Sequence, residues 1–175
     1  MNSQDIVCAF NRLFQGSCNT VLLGGADEPL YRAASAEQLV SEIWFRDDYA
    51  SSALHEIAHW CIAGSARRQQ NDYGYWYVEH RDLSQQKQFE LVEARPQGLE
   101  WVLSVAAGVE FRVSCDNFEL PGMELKPLRV RIREEALKFV QGELPARAEQ
   151  LQVVFSKLSG VQDANSPRHF QELPR

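Results

Sequence analysis

Apolar residues fall along the chain in two rhythms. Ile6, Val7, Phe10, Leu13 and Phe14 step by three and four, which predicts a helix over residues 3–15. "TVLLGG" then reads as a buried strand running into a turn, and "EPLYR" as a second extended piece. A short helix is expected from Ser35 or Ala36 through Val40, followed by the alternating strand "EIWFR" at 42–46. Leu54, Ile57, Ala58, Cys61 and Ile62 return to the helical rhythm and predict an amphipathic helix over 48–64. Asp47 or Asp48 is its expected N-cap and Gly64 its stop. The aromatic and turn-rich "NDYGYWYVEHRDLS" reads as a loop or hairpin. A long helix is expected from about Ser84 to Ala107, with Phe89, Val92, Pro96, Leu99, Val102 and Leu103 facing inward. Pro96 lacks a backbone donor and should kink or divide it. "EFRVSCDNFELPG" suggests a strand and a loop, and two further helices follow at roughly 124–141 and 145–158. From Val161 the polar "VQDANSPRHFQELPR" reads as a loosely held tail. The pattern predicts an α+β fold: one domain over 1–160, helices packed on a small sheet, with a tail at 161–175.

Composition narrows the partners. A net charge of −6 argues against a nucleic-acid-binding surface, which carries a basic excess. No apolar run reaches the roughly 20 residues a membrane span needs. "MNSQDIVCAFNRLF" has no basic region ahead of an apolar block, so it reads as a helix and not a signal peptide. Cys8, Cys18, Cys61 and Cys115 are widely and irregularly spaced. That suits reduced thiols in a cytoplasmic protein.

The chemistry concentrates in "SALHEIAHWC", residues 52–61. His55 and His59, four apart on a helix, can point both imidazoles at one metal ion. Two chance histidines are the plain alternative, and the strong periodicity of this helix argues against it. A catalytic ion needs a third ligand. His80 and His169 sit in polar surroundings and are weak choices. Glu90, Glu93 and Glu100 lie on the second long helix, where Glu93, Pro96, Gln97 and Glu100 share a face. Glu93 is the preferred ligand. Glu100 is the alternative, or else a partner that orients a histidine. Two histidines and a carboxylate suit zinc, which activates water for hydrolysis, or Fe(II), which binds and activates dioxygen. The ligand set alone does not choose between them. Glu56 is the candidate catalytic acid–base group. It would be the general base of a zinc hydrolase, or a partner for bound water or a cationic substrate in an iron enzyme.

"LLGGADEPLY", "SSALHEIAHWCIAGSARR", "DYGYWY", "QFELVEARPQGLEW" and "SCDNFE" occur in that order and closely resemble the bacterial elongation factor P hydroxylase family, over about residues 5–120. The resemblance implies a non-haem Fe(II) enzyme that uses dioxygen to hydroxylate the β-lysylated lysine of elongation factor P, a translation factor. It implies metal ligands His55, His59 and Glu93, and a fold reminiscent of a metal-dependent endoribonuclease. That endoribonuclease has a third histidine six residues beyond the second. Here the position is Ser65, so the third ligand must come from elsewhere. Tyr73, Tyr75, Trp76 and Tyr77 would wall a channel for a long cationic side chain, with Asp72 and Glu56 holding its amines. Asp116 and Asn117 would shape a turn. Arg67 and Arg68 would contact the factor. No segment marks a 2-oxoglutarate site, so the electron donor stays open. A zinc-dependent protease or nuclease is the alternative function. A non-catalytic domain with a structural metal ranks third, since no cysteine has suitable spacing.

Overall fold

Residues 1–71, 83–114 and 125–175 are described by the computed structural model of the chain, without the side chains of 83–87 and 90. Asp72, Tyr73, Tyr75, Trp76, Tyr77, His80, Cys115, Asp116 and Asn117, and the Glu90 side chain, lie outside that description.

Helix α1 (Ser3–Phe14) opens on a reciprocal cap. The Asn2 side chain accepts from Asp5 N at 2.8 Å, and the Asp5 carboxylate accepts from Asn2 N at 3.0 Å. Strand β1 (Thr20–Ala26) pairs in parallel with β3 (Ser41–Arg46), and β2 (Leu30–Arg32) pairs antiparallel on the other side of β3. The sheet order is therefore β1-β3-β2, with Leu22 opposite Ile43 and Tyr31 opposite Ile43. Ile43 and Phe45 alternate inward from the central strand. The chain leaves β3 through Asp47 at positive φ and enters α2 (Ala50–Ile62). The long helix α3 (Leu83–Ala107), α4 (Lys126–Lys138) and α5 (Ala146–Ser159) complete the described α-helices, with short 3-10 turns at Arg67–Gln69 and Pro167–Phe170 and a π-helical stretch at Phe139–Glu143. Helix α3 packs against α2, α4 and α5, so it is the spine of the helical layer. The core is continuous, from Phe10, Phe14 and Trp60 to Leu99, Val102, Leu103, Ile132 and Phe155. One domain with α+β architecture and a small sheet is what the pattern predicted.

Several local expectations are corrected. The helix expected before Val40 is a tight turn, because Ser35 Oγ accepts from Glu37 N and Gln38 N and competes with helix formation. Tyr49, not Asp47 or Asp48, occupies the N-cap position of α2 and makes no side-chain cap. Pro96 does not divide α3. Val92 is exposed and not inward, since this stretch of α3 turns toward a cleft. Residues 110–114 join no sheet: Val113 N donates to Arg175 O at 2.7 Å and Ser114 N to the Gln97 side chain at 3.1 Å. The segment after Val161 is not loosely held. Phe170 is fully buried and meets Trp101 edge-on at 4.9 Å, and its carbonyl accepts from Arg133 Nε at 2.7 Å.

Candidate metal centre

Helix α2 turns Ala53, Leu54, Ile57, Ala58 and Cys61 into the core, which leaves His55, Glu56 and His59 half-buried along a cleft of about 1130 Å³. Across it, α3 presents Glu93, Gln97 and Glu100, all buried polar residues at steps of four and three. The two helices therefore meet face to face, histidines on one and carboxylates on the other.

The Nε2 atoms of His55 and His59 stand 3.1 Å apart. Glu93 Oε2 lies 3.6 Å from His55 Nε2 and 3.4 Å from His59 Nε2. Ligand atoms about 2.0–2.2 Å from a shared ion are separated by roughly 3–3.5 Å, so this triangle fits a metal of that size. Among the described residues, these three form one group able to hold an ion. Glu100 Oε2 sits 2.8 Å from the other nitrogen, His55 Nδ1. There it accepts the Nδ1 proton and leaves Nε2 facing Glu93 and His59. The carboxylate–histidine–metal pattern fixes a ligand's tautomer and orientation in this way. The geometry thus separates the two glutamates that the sequence left as alternatives.

Charge in the cleft is strongly coupled. Burial works to lower the His55 pKa, but the hydrogen bond and charge of Glu100, with the charges of Glu56 and Glu93, outweigh it and raise the value to about 10. Burial raises the pKa of Glu100, against the pull of His55. Burial also raises Glu56, opposed by both histidines and supported by the two neighbouring carboxylates. A metal-free cleft thus keeps a proton on His55, and a cation would take that proton's place.

The far end of α2 is held from elsewhere in the chain. Arg147 of α5 lies over the Trp60 ring at 4.3 Å, and its Nη2 is 3.0 Å from the carbonyls of Trp60, Cys61 and Ala63. Arg68 also donates to Ala63 O, and its own carbonyl accepts from Tyr31 Oη at 2.8 Å. Arg68 is therefore tied to the helix end, while Arg67 is exposed at the cleft margin. Arg147 escaped the sequence reading, and Gln97 entered it without a role of its own. Gln97 left one signal, its place between Glu93 and Glu100 on a shared face. Arg147 left none, because its partners lie more than eighty residues away.

The residues at the centre lie inside a wider likeness. The elongation factor P hydroxylase family model matches residues 9–168. The elongation factor P lysine hydroxylase of Haemophilus influenzae is 39% identical over 161 residues, 91% of this chain and 90% of that protein. With the match running through both helices that line the cleft, this chain belongs to the elongation factor P hydroxylase family.

Proposed function

We propose that this protein hydroxylates elongation factor P on its β-lysylated lysine side chain, using Fe(II) and dioxygen. The observation that carries the reading is the His55–His59–Glu93 triangle within a chain of this family. His55 Nε2, His59 Nε2 and Glu93 Oε2 would hold the ion, and a site of two histidines and one carboxylate with open positions supplies dioxygen activation when Fe(II) is bound. Glu100 keeps the His55 proton on Nδ1. Glu56, its pKa raised by burial, takes up a proton at its carboxyl more readily than a surface acid does. The carboxylates of the cleft favour a cationic side chain. Inserting one oxygen atom into a C–H bond leaves the other to depart as water, so two electrons and two protons must come from a reductant. The same reading places the enzyme in the cytoplasm, with the factor, and among the described residues no helix is long and apolar enough to cross a membrane.

The test is intact-mass analysis of β-lysylated elongation factor P after incubation with the protein, Fe(II), a reductant and air. A gain of one oxygen atom is expected, and it disappears in His55→Ala and Glu93→Ala. Tightly held zinc with no oxygen gain would overturn the reading in favour of a hydrolase.

A further inference from the structure

The metal triangle leaves one buried polar side chain of the same helix face unused. Gln97 is 1% exposed and lies between Glu93 and Glu100 on α3. Its amide grips the backbone of a single residue: Nε2 donates to Ser114 O at 2.9 Å, and Oε1 accepts from Ser114 N at 3.1 Å. Ser114 belongs to the stretch 109–114, which lies outside any helix or strand and lines the cleft with Val109, Glu110, Arg112, Val113 and Ser114. Its other anchors among the described residues lie before Ser114: Val109 N donates to Ser104 O at 2.9 Å, and Phe111 and Val113 are buried in the core. Phe111 stacks on Trp101 at 5.5 Å and Val113 N reaches Arg175 O, and Gln97 holds Ser114 itself. Its outward residues Glu110 and Arg112 pair with each other at 3.1 Å on the cleft margin.

We propose that Gln97 is a positioning residue: its amide clamp fixes residues 109–114 as the substrate-contacting wall of the cleft, so it governs binding of the substrate and not of the metal. The inference deepens the proposed function and rests on it for the identity of the substrate. The metal ligands have supports of their own, since Glu100 orients His55 and arginines hold the end of α2. Among the described residues, Gln97 is the one hydrogen-bond partner of Ser114. Loss of the amide leaves two backbone groups without their partners and frees the Ser114 end of the wall to move.

The fold contains its own control. Asn11 grips Leu22 in the same two-bond manner, accepting from Leu22 N at 2.7 Å and donating to Leu22 O at 3.2 Å, away from the cleft. The experiment compares full-length wild type, Gln97→Met, Gln97→Glu and Asn11→Leu. Each is measured for Co(II) affinity, for hydrogen exchange at the Ser114 amide, and for KM and kcat with β-lysylated elongation factor P. In Gln97→Met, exchange at Ser114 should quicken and KM rise by about fivefold or more, with kcat and Co(II) affinity each within about twofold of wild type. Gln97→Glu keeps an acceptor for Ser114 N but sets a buried carboxylate oxygen against Ser114 O, so its KM should rise at least as far as in Gln97→Met. Asn11→Leu should lose thermal stability with no change in KM. Unchanged KM in Gln97→Met, or Co(II) affinity falling in step with activity, would overturn the proposal. Should wild type give no oxygen gain, the hydroxylase reading fails by itself, and exchange at Ser114 still decides whether the clamp holds the wall.

Discussion

Glu93 and Glu100 have the same side chain, the same helix and nearly the same burial, yet their surroundings give them different work. Glu93 faces both Nε2 atoms, and Glu100 faces only the far nitrogen of His55. Glu93→Gln should therefore remove metal binding almost completely. Glu100→Gln should weaken it by roughly 10–100-fold, the usual cost of losing a histidine's orienting partner. Titration of each variant with Co(II) checks the assignment, and the reverse order would exchange the two roles. Proton competition adds a second signature. His55 is raised to about 10 in the metal-free protein, so an ion must displace its Nε2 proton. Apparent affinity should climb as pH rises through the neutral range, by up to about tenfold per unit for one released proton. The climb should flatten in Glu100→Gln, where the charge that holds the proton is gone.

At the scale of elements, the centre depends on how closely α3 lies against α4. A Cβ at Gly98 would come 2.7 Å from Glu135 Cβ and 3.0 Å from Ala136 N, so only glycine allows this approach. Gly98→Ala should cost about 1–3 kcal/mol in urea unfolding and, by tilting α3, loosen Co(II) binding as well. Unaltered stability would mean that the two helices can part without strain. The elements also show what the sequence could and could not disclose. Helices α1 and α2 were legible because one face of each is apolar and recurs at helical steps. The histidine pair was legible for the same reason, being a four-residue spacing on such a helix. Helix α3 was legible in extent, but Val92 was misplaced, because a face that borders a cleft mixes apolar and acidic residues. The turn before Val40 and the segment at 110–114 were misread. Their conformations are set by the Ser35 hydroxyl and by the distant Gln97 and Arg175, which leave no periodic trace.

For the whole molecule, the ion would join α2 to α3, two packed elements of the same core. Binding by the folded protein alone stabilises it by about 2.7 kcal/mol at a hundredfold excess over Kd. Thermal unfolding should then shift upward by several degrees with Co(II), on a scale of roughly 2–4 °C per kcal/mol, and should stay put in Glu93→Gln. The same architecture gives the protein an internal light source. Trp60, 3% exposed, follows His59 directly, and Trp101, 8% exposed, follows Glu100 directly. Two of the chain's four indoles are thus one residue removed from a side chain of the centre, and Trp60 also lines the cleft. Their emission should dim when an open-shell ion such as Co(II) or Fe(II) arrives and hold steady with zinc, so the unlabelled protein signals which kind of metal it has taken up.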